Sequence, residues 1–597
     1  MSAPTRASSV EELASALAAG TGPAVSVGRL YSGQLKIRTS RLRALVAKAG
    51  DADPSGLLIE SYATLRAVQA SHPRIVTALL LYPHVGAWLA DSLRRLDPAR
   101  ATDGAPHAGP GYLSGLAAAA VLRAGTGATA RLTVTESGQV FLPTLGTCLL
   151  PAGPASTWRL EGHRITDGQR DVPLPADLSE QTDTWVPIRR LRSDHGAPID
   201  VAFDDQDPAR TCGPHLTLSS RLGEVEWAAW QRAFDDGWAM LRADHPEYAD
   251  GIRAGLQCVV PLDALGGGSS SSLTVGDAFG AVVTTPPADG GAIALTLVHE
   301  FQHNKLSALL DLGPLYEGDS DERFYAPWRD DPRPFGAVLQ GVYAHLGVTD
   351  FWRVHRWSAP EESAALAHLE FTRWRQQTEE AAAELARASV VTDLGRDFLA
   401  VISGRLAQWG TEPVPGSAEA AAAAARFEHR IGWRLRNMRL TPAQIALLAD
   451  AVRDEPLTPL DAPVDARAMT VPWTQVWSAR LRLMYAAVDR PDFYERLRSG
   501  AETVDDPVAV SDADLACLVG DYQAAEPIYE AEIAAGGSWE TGASWEAWAG
   551  LVHCYRITRP GPAADFLRTR PEVVAAVHAV VGLSPYETAR RLAEVWP

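Results

Sequence analysis

Three side chains carry the first chemical signal in this sequence. His299, Glu300 and His303 form H-E-x-x-H inside the run DGGAIALTLVHEFQHNKLSALLDL, residues 289–312. Asp289 reads as an N-cap, no proline interrupts the run before Pro314, and its apolar residues make a largely buried helix. Each helical residue advances about 100°, so positions four apart differ by about 40°. His299 and His303 therefore leave one face, one turn apart, and can chelate one metal ion. Glu300 points elsewhere, toward the rim of the same site. The plainer alternative is a structural histidine pair, because so short a motif also arises by chance.

The motif serves two chemistries. In a zinc peptidase the histidines and a third ligand hold zinc, and Glu300 is the base that deprotonates metal-bound water. After His303 the chain continues Asn304-Lys305-Leu306-Ser307-Ala308-Leu309-Leu310, without the glycine and histidine of the metzincin pattern. The other chemistry is a non-haem iron(II) site, with three protein ligands and open positions for a 2-oxo acid and O2. Such a site needs a cation for the distal carboxylate of the cosubstrate, and an arginine fork suits it. Arg329 and Arg333 stand in a proline-framed loop, Trp328 to Pro334. His345 lies on a later apolar helix as a third ligand, with His355 a weaker candidate. The plainer readings are salt bridges from the arginines to Asp330, Asp331 or Glu322, and a core histidine at His345.

The run LVHEFQHNKLSALLDL, then YAPWRDDPRP, then LQGVYAHLGVTDFW, resembles the HExxH-motif proteins of ribosomally made peptide pathways. The resemblance is strong over about residues 258–357. That family is regarded as iron(II)- and 2-oxoglutarate-dependent peptide β-hydroxylases. The resemblance implies metal binding by His299 and His303, with His345 as the match for the distal ligand. It implies 2-oxoglutarate held by Arg329 or Arg333, O2 as co-oxidant, and a precursor peptide as partner, its leader and core held by the helical flanks. Three histidines without a carboxylate depart from the usual facial triad. The role of Glu300, as catalytic base, ligand or acceptor for a ligand imidazole, stays open. The alternatives are a zinc metallopeptidase with Glu300 as general base, and a non-catalytic peptide-binding protein with a structural metal.

The elements that must position these residues read as mainly α with a smaller mixed α/β region. Four parts are expected: a helical region at 1–110, a mixed α/β region at 111–260, a metal-binding catalytic core with the motif helix at 261–440, and a repeat-like helical-hairpin region at 441–597. Residues 101–112 read as a Gly/Pro/Ala linker, and PVDARAM after Asp461 as a loop. GGGSSSS, residues 266–272, is a flexible loop by composition, a mobile lid or a solvated connection. Asp200, Asp204, Asp205 and Asp207 do not fit a calcium loop and read as a solvated acidic turn. His72 and His84 read as structural or surface residues. GLQCVVPLDAL and AFGAVVTTPP read as buried strands, the second leading into the motif helix. Hydrophobic residues at 46% allow a sizeable core, and a net charge of −19 argues against a nucleic-acid or anionic-membrane partner. Five dispersed cysteines without C-x-x-C exclude a disulfide framework, and with no apolar signal core or membrane-length run the cytoplasm is the expected compartment.

Overall fold

A computed structural model describes residues 6–49, 53, 55–97, 109, 111–151, 157–213, 215–266, 270–318, 321–460, 464–469, 477–499, 510–536 and 544–596. These residues carry twenty-two helices and fourteen short strands, so the protein is mainly helical with a smaller sheet region. No helix among them is long and apolar enough to cross a membrane. All five cysteines are free. Most of the linker expected at 101–112 lies outside the described residues. The chain divides into two compact units, Met1–Leu315 with Asp393–Val401, and Tyr316–Thr392 with Ile402–Pro597. The boundary at Leu315 falls inside the stretch 261–440 that the sequence reads as one core.

In the first unit, β-branched runs build the centre of a five-stranded sheet. Its spatial order is Ser272–Leu273, Ala281–Thr284, Cys258–Pro261, Ile199–Phe203, Arg189–Ser193. Cys258–Pro261 is buried throughout and runs parallel to both neighbours, with Cys258 opposite Ala281 and Ala202. Parallel pairing needs a crossover, and the helices Glu224–Asp244 and Pro246–Gly255 supply one. Pro73, Pro83 and Pro246 each open a helix at its first turn, where the missing N–H leaves nothing unpaired. Two smaller antiparallel sheets occupy the stretch from Ala130 to Pro187.

The strand Ala281–Thr284 leads into the motif helix, Gly290–Leu310. Asp289 caps it, its Oδ1 accepting from Ala292 N at 2.8 Å. Gly237 lets the helix Glu224–Asp244 touch the motif helix, because a Cβ there would stand 2.6 Å from Ile293 Cγ2 and 2.7 Å from Gly290 O. Two polar side chains lock the far face. Asn304 donates to Ala281 O at 2.9 Å and accepts from Gly280 N at 2.7 Å. Lys305 donates to Gly20 O at 2.6 Å and Thr21 O at 3.2 Å, and burial pulls its ammonium down to about 7.

The acidic stretch after Asp200 corrects the expectation of a solvated turn: Asp204, Asp205 and Asp207 are buried. Tyr82 donates its hydroxyl to Asp204, which also accepts from Gln206 N and Asp207 N at 3.1 and 2.9 Å. Tyr112 donates to Asp207 at 2.8 Å, and Arg221 pairs with Asp205 at 3.1 Å. His84 lies 3.6 Å from Asp204 and 3.7 Å from Cys258 Sγ. Burial, reinforced by Asp204, holds the Asp207 carboxyl well above its usual range. A buried carboxylate needs donors; the tyrosine donors come from residues far away in sequence, the backbone donors from the turn itself.

In the second unit, the helices Phe335–His355 and Glu361–Leu385 pack as a pair, and Gly416–Asn437 lies on Glu361–Leu385. Short helices from Pro442 to Val595 enclose a core that includes Leu435, Leu448, Tyr529, Trp548 and Leu567. Arg480 is buried there and bonds Glu428 at 2.9 Å and Asp514 at 2.6 Å. The stretch expected as a loop after Asp461 contains the strand Arg467–Ala468, paired antiparallel with Met438–Arg439, while residues 461–463 lie outside the described residues.

Candidate metal centre

The motif helix buries Ile293, Leu297, Val298, Phe301 and Leu306, which turns His299 and His303 onto a half-buried stripe. Their Nε2 atoms stand 3.2 Å apart, with the ring planes at 76°. Two nitrogens at that spacing, each about 2.1 Å from one ion, subtend about 100° at it, between the octahedral and tetrahedral angles. The pair fits a transition metal as two of its ligands. Without a metal, the same contact is a hydrogen bond whose donor is set by the tautomers of the two rings. Burial pulls His299 down to about 4, opposed by Glu300 and aided by His303, so at neutral pH its ring is the uncharged form that donates to a metal. Among the described residues, no group of three or more His, Cys, Asp or Glu side chains is gathered as a metal would need.

Glu300 does not sit at the rim of the site, as the sequence leads one to expect. It is 1% exposed. Its Oε1 accepts from Ser272 Oγ at 2.6 Å and its Oε2 from Thr274 Oγ1 at 2.7 Å, and Oε1 lies 3.8 Å from His299 Nε2. The glycine–serine stretch read as lid or connection therefore ends in a sheet edge that grips the motif glutamate, residues 267–269 lying outside the described residues. Ser272 and Thr274 were not singled out in the sequence. The pointer to them is alternation: Ser272 and Thr274 share one face of an extended segment, with Leu273 on the other.

His345, Arg329 and Arg333 belong to the second unit. Phe324 and Arg333 pair backbone to backbone at 2.8 and 3.0 Å, closing the proline-framed loop. Asp330 anchors that loop, accepting from Arg436 at 2.6 Å through its side chain and from Asn437 at 2.7 Å through its carbonyl. Arg329 and Arg333 converge on Asp331, at 3.0 and 2.9 Å. Burial works to raise the Asp331 carboxyl, but the two guanidiniums prevail and hold it below its usual value. His345 is 7% exposed, stacks on Trp328 at 4.3 Å and meets Trp374 at 4.6 Å. Trp328 reaches this position because Gly341 has no Cβ, which would lie 2.1 Å from its ring. His345 Nδ1 is 2.9 Å from Gly341 O. Only a protonated nitrogen can bond a carbonyl, so in the neutral ring Nε2 carries the lone pair.

No protein-family model matches the chain, and no curated protein matches it.

Proposed function

We propose that the protein is a non-haem iron(II)- and 2-oxoglutarate-dependent hydroxylase acting on the β-carbon of a residue in a ribosomally made precursor peptide. The observation that carries the reading is the pair of imidazoles, His299 and His303, with Nε2 atoms 3.2 Å apart on a half-buried helix face. When bound, iron(II) with 2-oxoglutarate and O2 supplies the oxidation that turns C–H into C–OH, giving succinate and CO2. His299 and His303 hold the metal. Arg329 or Arg333, both paired with Asp331, is the cation this reading assigns to the distal carboxylate of the cosubstrate.

Both oxygens of Glu300 accept hydroxyl hydrogen bonds in a buried position, which fixes its side chain beside His299. In this reading Glu300 orients the site, and the enzyme works in the cytoplasm, where its five thiols stay reduced. The test is product mass after incubation with iron(II), ascorbate, 2-oxoglutarate and the peptide encoded beside the gene. A gain of one oxygen on the peptide, with succinate formed, supports the reading. Peptide cleavage that proceeds equally without 2-oxoglutarate overturns it. Arg333→Ala, or else Arg329→Ala, raises the 2-oxoglutarate requirement about a hundredfold, the effect of leaving a carboxylate without its cation. Turnover kinetics against 2-oxoglutarate concentration check that shift.

A further inference from the structure

We infer that a groove in the second unit docks an acidic, helix-forming peptide segment. The identity of its occupant rests on the peptide-substrate reading above; the chemistry of the groove does not.

The groove has a volume of about 860 Å³ and follows one face of the helix Gly416–Asn437. Ala420, Ala423 and Ala424 form its floor and lead to Phe427, at helical spacing. Side chains this small let another helix approach closely, as in helix-in-groove recognition. The stretch from Ala420 to Arg430 rises about 15 Å, enough to contact about three turns of a docked helix.

The walls are cationic. Arg426, Arg430, Arg556 and Arg568 line the groove against two carboxylates, Glu380 and Asp565. Those two acids are already used: Arg430 pairs with Glu380 at 3.4 Å and Arg568 with Asp565 at 3.5 Å. Arg426 makes no ion pair among the described residues, and Arg556 has only the face of Phe427, at 5.0 Å. The chain as a whole carries −19. Uncompensated arginines concentrated beside an apolar floor in so acidic a protein mark the place where carboxylates of a partner belong. Glutamates of a docked helix would meet Arg426 and Arg556, while its apolar face lies on the alanines.

The experiment uses the full chain without iron or 2-oxoglutarate, so its outcome is independent of the hydroxylase test. The probe is a fluorescein-labelled peptide of about 20 residues built from Glu, Ala and Leu, long enough to form helix. Anisotropy is compared with the same peptide carrying Lys for Glu, and with a labelled single-stranded oligonucleotide. The acidic peptide binds best, and its affinity falls as salt is added. Arg426→Glu combined with Arg556→Glu weakens it at least about tenfold, while Arg426→Lys with Arg556→Lys keeps most of it. Ala423→Glu, on the exposed floor, weakens it independently should the double reversal disturb folding, which circular dichroism would report. No binding of the acidic peptide, equal or tighter binding of the lysine peptide or the oligonucleotide, or unchanged affinity in the folded charge-reversed variants overturns the inference.

Discussion

His84 and His299 lie at nearly the same distance from a buried carboxylate, 3.6 Å from Asp204 and 3.8 Å from Glu300. Burial pulls both rings down to about 4. Their surroundings differ. His84 is sealed with Tyr82 and Cys258, and the carboxylates near it take their hydrogen bonds from tyrosines and backbone N–H groups. The side chain of His299 is 26% exposed and has a second imidazole 3.2 Å away. The same residue types thus serve two ends. Where every polar atom is enclosed and satisfied, the cluster holds the fold together. Where two nitrogens share an accessible face, they can hold a ligand.

If that contrast is right, the sealed cluster yields the largest change in stability. Asp207→Ala leaves the buried Tyr112 hydroxyl and Ala209 N–H without their acceptor, and costs about 3–4 kcal/mol. His299→Ala costs less, about 1 kcal/mol, since 26% of its side chain is exposed. Urea unfolding of both variants checks the difference, and equal losses would erase it.

The next effect is on pH. Folded His84 takes up a proton only near pH 4, because burial outweighs the help of Asp204, while Arg210 and Arg38 oppose its charge further. The unfolded side chain takes one up near its ordinary value of about 6.5. Between those values the unfolded chain binds more protons, so stability is present above pH 6.5 and is lost as pH falls toward 4. His84→Gln makes that loss shallower by roughly 3 kcal/mol at most. Denaturation midpoints measured across the window test this; an unchanged slope would place the acid sensitivity elsewhere.

A smaller effect is expected where the accessible cluster meets the interior. Ser272→Ala and Thr274→Val each remove one donor from buried Glu300 and cost about 1–2 kcal/mol. The double variant also loosens the orientation of His299, because Glu300 is its neighbour on the helix. Thermal midpoints together with metal affinity report both effects. Full metal affinity in a destabilised double variant would confine Glu300 to a structural role.

Local signals gave the elements that position the site. The Asp289 cap, the apolar strands Cys258–Pro261 and Ala281–Thr284, and the prolines at helix starts each act within a few residues, so sequence spacing exposes them. The facing of His299 and His303 follows from helical geometry alone. What was hidden depends on long-range contact. Tyr82 meets Asp204 across 122 positions, so a run of aspartates that looks solvated is enclosed. Ser272 and Thr274 sit at the end of a stretch whose composition reads as loop, and only the strand Ala281–Thr284 beside it makes it a sheet edge. The convergence of Arg329 and Arg333 on Asp331 was open to sequence reasoning as a salt bridge, because all three lie within five residues.

The most direct test of the central claim is elemental analysis of anaerobically purified protein after loading with iron(II). About one iron per chain is expected in the wild type, and essentially none in His299→Ala or His303→Ala, both retaining the wild-type unfolding free energy within about 1 kcal/mol. Full loading in either folded variant, or a wild type that holds no metal, would contradict the assignment of this histidine pair.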